Sequence, residues 1–81
     1  MKHAGQAALA TIEPLLVELR ALDGVVEKRP GVFYRKSAAF LHFHEDPTGM
    51  FADIRIGREW QRLPVNTSSE RSHLIRLAAE R

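Results

Sequence analysis

The chain has no cysteine and only one tryptophan and one tyrosine, and it contains no apolar run of membrane-spanning length. Without cysteine there is no disulfide framework, no thiolate nucleophile and no zinc finger or ribbon, so the fold must hold by packing alone. Glycine-rich phosphate loops, dinucleotide fingerprints and the G-x-S-x-G elbow are missing too, and Ser37, Ser68, Ser69 and Ser72 fall in turns or at a helix start. These absences remove the common catalytic frameworks, and the chain is expected not to be an enzyme. Lys2 and His3 are followed by AGQAALATIEP, which lacks the apolar centre of a signal peptide, so a cytoplasmic, bacterial-type setting is expected. For the same reason Asn66-Thr67-Ser68 reads as part of a helix start and not as a glycosylation site.

At 81 residues, the chain should form one domain spanning 1–81, with 1–10 a lead segment that either frays or extends the first helix. A chain of this size buries only about 60 to 65% of its unfolded surface, which leaves room for one modest core and no deep cavity. Hydrophobic residues make up 44% and charged residues 27%, a balance that belongs to an ordinary globular domain and not to a disordered tail. Net charge is only +2, so overall charge does not point to nucleic acid. Its distribution says more: Lys28, Arg29, Arg35 and Lys36 follow one another without an intervening acid.

The most informative stretch is Phe40 to Ile56, FLHFHEDPTGMFADIRI, whose alternation predicts a two-stranded hairpin. Leu41, Phe43, Met50, Ala52, Ile54 and Ile56 share a core face, while Phe40, His42, His44, Phe51, Asp53 and Arg55 fall on the other. Asp46-Pro47-Thr48-Gly49 has the residues of a tight turn closed by glycine. An even loop pairs Phe43 with Ala52 or Ile54, whereas an odd one would set Asp53 opposite Phe43 and bury a charge.

Around this hairpin the pattern predicts a helix from Thr11 as N-cap to about Leu22, with Ile12, Leu15, Leu16, Leu19 and Leu22 as its apolar stripe and Gly24 as its stop. Short strands follow at Val25 to Lys28 and Val32 to Arg35. After the hairpin come a strand from Glu59 to Val65 and a final helix opened by the capping box Thr67 to Glu70, with Leu74, Ile75, Leu77 and Ala78 inward. This order predicts a two-layer α+β sandwich: an antiparallel sheet of three to five strands with both helices on one face.

The uncovered face then gathers Phe40, His42, His44, Phe51, Asp53, Arg55, Trp60 and Arg62, with Tyr34 or Arg35 beside them. Such a patch predicts a binding or association module. The expected partner is a second copy of the chain, with Phe40, Phe51 and Trp60 supplying area and His42, His44, Asp53, Arg55 and Arg62 fixing orientation. The alternative is single-stranded nucleic acid, its bases stacking on the aromatic groups and its phosphates meeting Lys28, Arg29, Arg35, Lys36, Arg55 and Arg62. No membrane partner is expected. A third reading uses His42 and His44, about 7 Å apart along one strand face, with Asp53 as a metal site. The expected state is without metal or other cofactor, since such histidines more commonly pack beside an acid. The H-x-H spacing is similar to that of cupins, yet Glu45 follows His44 directly and the chain is too short for a jelly roll.

An initial helix, then VFYRK, AAFLHFHED, GMFADIRIG and a final helix, is loosely similar in layout to the bacterial YjbR-like family across about 60 residues. The lysine, tryptophan and asparagine cluster of that family's C-terminal half is missing here, where Trp60 stands alone. The resemblance implies an α+β fold and the DNA-binding suggestion attached to such folds.

Overall fold

A computed structural model describes residues 1–80. Two short helices, α1 (Gln6–Ala10) and α2 (Glu13–Arg20), are preceded by a two-residue strand, β1 (Lys2–His3). Five antiparallel strands follow: β2 (Val25–Arg29), β3 (Val32–Arg35), β4 (Ala38–Asp46), β5 (Gly49–Ile56) and β6 (Glu59–Pro64), and α3 (Ser68–Ala79) closes the chain. The sheet runs β2-β3-β4-β5-β6, with β1 added to β4, so it holds six strands where three to five were expected. The α+β architecture is as the sequence predicts.

The helix stripe behaves as its spacing demands. Ile12, Leu15, Leu16 and Leu19 are buried and join Leu74 and Ala78 of α3 in one core with Phe33, Leu41, Phe43, Ala52 and Ile54 of the sheet. The helices therefore cover one face. Thr11, expected to open α2, instead closes α1: its hydroxyl donates to the Ala8 carbonyl at 2.6 Å, and Ile12 takes the cap position of α2 without a side-chain hydrogen bond. At α3 the capping box forms in full, the Glu70 amide donating to the Thr67 hydroxyl at 3.1 Å and the Thr67 amide to the Glu70 carboxylate at 3.0 Å. Arg20 ties the helical layer to the sheet edge by donating to Glu13 at 2.8 Å and to Glu27 at 2.6 Å.

In the central hairpin Phe43 pairs with Ala52 and Asp46 with Gly49. The loop is thus even, and Asp46 closes it by accepting from the Thr48 amide and hydroxyl. Gly49 is needed twice over. Its φ is +135°, and a Cβ there would lie 2.7 Å from Asn66 Oδ1. That asparagine accepts from the Met50 amide at 2.8 Å and so pins the start of β5 beneath α3.

One expected face assignment is overturned. Phe40 is 6% exposed and belongs to the core, not to the uncovered face. The cause is a bulge between β3 and β4: Phe33 pairs with Leu41 but Tyr34 with Ala39, leaving Phe40 without a partner and turning it inward. Arg35 lies on the helical side with it. Its guanidinium sits 4.5 Å from the Phe40 ring centroid and donates to the Ala78 and Glu80 carbonyls at the end of α3.

Candidate functional site

Past the bulge, parity holds, and the uncovered face is built in rows across the sheet. His42, Asp53 and Arg62 are direct cross-strand neighbours on β4, β5 and β6, and the next row runs from His3 on β1 through His44 and Phe51 to Pro64. Arg55 and Trp60 form a third. Of the residues expected on this face, His42, His44, Phe51, Asp53, Arg55, Trp60 and Arg62 share it, and Tyr34 extends it toward β2. Phe40 and Arg35 do not.

Asp53 is the centre of the arrangement. It is only 8% exposed although no helix covers it. Side chains do the covering: Trp60 reaches across β5 to bring its ring 5.0 Å from that of His42. A buried carboxylate needs partners, and Arg62 donates to both Asp53 oxygens at 2.7 and 2.8 Å. His44 Nε2 lies 2.8 Å from Oδ2 and His42 Nδ1 lies 4.0 Å from it. The Arg62 fork holds the Asp53 carboxyl below its usual range despite burial, and Asp53 in turn raises the Arg62 guanidinium. Burial pushes the His42 imidazole down, with Asp53 opposing and His44, His3 and Arg62 reinforcing the shift. His42 is thereby held toward its neutral form.

A third imidazole joins this pair from a segment that the sequence pattern did not connect to the site. His3 pairs with His44 across β1 and β4, and its ring stacks on that of His44 at 4.7 Å and lies 5.6 Å from that of His42. One potential ligand nitrogen from each of the three falls within 4.8 Å of the others. His42 Nδ1 and both ring nitrogens of His44 are buried without a hydrogen-bond partner among the described residues. For His44 this holds despite the 2.8 Å approach to Asp53, because the carboxylate lies out of line with the ring N–H.

Beside the imidazoles is a shallow cavity of about 380 Å³, lined by His3, Arg29, Pro30, Val32, Tyr34, Ala39 and His42. Lys28 Nζ stands 5.9 Å from the Tyr34 ring centroid near its rim. Elsewhere the face meets solvent through Val26, 53% exposed, Trp60, 47% exposed, and the charged side chains of Arg55 and Arg62.

The chain matches no protein-family model, no curated protein and no solved structure. What the face can do must therefore be argued from its own side chains. Chemically it offers clustered imidazoles, one pre-paired carboxylate and a half-exposed indole. None of the four serines belongs to it, since Ser37 is in a turn and the others lie in α3. No helix among the described residues is long and apolar enough to cross a membrane.

Proposed function

We propose that the protein is a non-enzymatic binding module working through the uncovered face of its sheet, and that a second copy of the chain is its partner. The observation that carries this reading is Trp60, which projects half-exposed from a face whose buried charge is already matched. A surface that satisfies its own carboxylate asks no counter-charge of a partner there, and covering the Asp53–Arg62 pair with a like surface strands neither of those ions. Pairing across a twofold axis would bury two indoles at once.

The same charge balance weighs against the nucleic-acid alternative. Arg35 is engaged on the helical side with the end of α3, and the Arg62 charge is matched by Asp53. That leaves Lys28, Arg29, Lys36 and Arg55 of the six expected phosphate contacts, a thin footprint for a surface of this kind.

Sedimentation of the native chain and of Trp60→Glu tests the reading. Roughly 100 Å² of each indole is still open to solvent, worth about 2.5 kcal/mol per ring and about 5 kcal/mol for two as an upper figure. The variant should therefore weaken pairing by up to about a thousandfold while melting like the native monomer. A native chain that stays monomeric at high micromolar concentration, or a variant that pairs as well as the native chain, refutes it.

A further inference from the structure

Three histidines from two separate segments meet on one side of a small sheet, and their meeting depends on β1. That strand is fixed by more than its two pairings. The Ala4 amide donates to the Phe43 carbonyl at 3.0 Å and the Gly5 amide to the Glu45 carboxylate at 2.8 Å. Lys2 and the terminal amine add weaker contacts to Glu45 and Asp46 at 3.7 Å. His3 is thus delivered to a set place beside His44 by backbone bonds, not by chance contact of a free end.

We propose that His3, His42 and His44 form a binding site for one divalent transition-metal ion of the zinc type, with Asp53 as the carboxylate that orients the His44 ring. Three neutral imidazoles are a known zinc donor set, and a tetrahedral ion with bonds of about 2.0–2.1 Å needs its nitrogens roughly 3.3 Å apart. The three nitrogens lie within 4.8 Å of one another, so ligation would have to draw them together by up to about 1.5 Å through rotation of the rings. Two of the rings carry buried nitrogens without a hydrogen-bond partner among the described residues, as donors awaiting a Lewis acid would.

Asp53 supplies what such a site requires behind its ligands. A metal-bound imidazole ordinarily gives its other N–H to a carboxylate, which fixes its tautomer and direction. Asp53 Oδ2 lies 2.8 Å from His44 Nε2, and Arg62 donates to both carboxylate oxygens. The ring N–H is out of line with the acid in the metal-free chain, so ligation would have to turn the ring onto the carboxylate for Asp53 to orient it. Nε2 facing the acid leaves His44 Nδ1 for the ion. Asp53 is accordingly an orienting residue, and His3 takes the third ligand position that the sequence pattern assigned to Asp53. His3 and His42 also line the cavity that holds Tyr34 and Arg29, from which water or a small anion could complete the coordination.

The absence of cysteine restricts the candidates to metals that accept nitrogen and oxygen donors, and imidazole suits zinc and cobalt well. Pairing of two chains is not required, since every ligand comes from one chain. A null result here would leave the pairing reading untouched, and the reverse.

The test uses the full chain with no histidine tag, stripped with a chelator, and titrated with Zn²⁺ by calorimetry and with Co²⁺ by visible absorption. The expected result is one ion per chain at submicromolar affinity and the intense d–d bands of a tetrahedral cobalt centre. His3→Ala should weaken Zn²⁺ binding by at least about 100-fold, and Asp53→Asn by about 10- to 100-fold, the usual range for an orienting partner. His73→Ala, on α3, should change nothing. His3 is exposed, so its replacement tests the site without endangering the fold. Failure to saturate at one equivalent, weak octahedral-type cobalt bands, or full affinity in His3→Ala would each overturn the proposal.

Discussion

Replacing Asp53 by asparagine removes one charge from the centre of the uncovered face while keeping its shape, and the structure sets the size of the effect. Two charge-assisted hydrogen bonds from Arg62 are lost or weakened, each ordinarily worth about 1.5–3 kcal/mol. The full sum does not apply. The Arg62 side chain is 50% exposed, so its freed guanidinium returns to water instead of being stranded, and the asparagine carbonyl can still accept one bond. A net loss of ~2 kcal/mol follows, against a total of about 4–12 kcal/mol for a domain of this length. For such a domain that lowers the melting temperature by roughly 8–16 °C.

The pH dependence supplies a control within the same experiment. Asp53 has its carboxyl depressed from an ordinary value of 3.8 in the folded chain, so it contributes stability that is present above that value and is lost as pH falls through the lower folded value. Asparagine has no such contribution to lose. Melting curves of the two metal-free proteins should therefore differ at pH 7 and converge in strong acid, followed by circular dichroism. Coincident melts at pH 7, or a gap that persists unchanged at pH 2, would refute the argument that the Arg62 pair holds this carboxylate in place.

Two further substitutions probe the parts of the fold that position the site. Arg35→Ala removes the cap on the last carbonyls of α3 and the cation above Phe40, and should cost about 1–2 kcal/mol by urea denaturation with pairing and metal affinity unaffected. An effect of Arg35→Ala on pairing would put that residue back on the working face. Gly49→Ala forces a left-handed residue and a Cβ 2.7 Å from Asn66 Oδ1. It should cost about 2 kcal/mol or more, and a melting temperature equal to that of the native protein would show the turn to be more plastic than its geometry implies.

Much of this was legible in the chain because β periodicity is strict. With a two-residue alternation, the Asp46 to Gly49 turn fixed parity for everything from Leu41 to Ile56, and Trp60 and Arg62 followed through β6. Phe40 escaped because a bulge shifts parity by one without needing a glycine to announce it. The signal that could have found it is the adjacency of Phe40 and Leu41: two large apolar neighbours on one strand can both be buried only if alternation fails between them. Thr11 was misplaced by a similar ambiguity, since a threonine between two helical turns can serve either the helix behind it or the one ahead. His3 had no local signal at all. A strand of two residues is too short to show a period, and its pairing with β4 is a tertiary contact spanning some forty residues.

The composition of the uncovered face remains to be explained on physical grounds, and stability alone does not explain it. Burying a carboxylate is costly, and an ion pair of this kind is often matched or bettered by apolar residues of similar volume. A leucine at position 53 would extend the apolar surface of Phe51 and Trp60 and would serve the sheet as well. What leucine cannot do is fix the direction and tautomer of a neighbouring imidazole. Asp53 stands opposite His42, touches His44 and is held at both oxygens by Arg62. That arrangement is the one the proposed site requires, with the acid positioned behind the rings and held by Arg62.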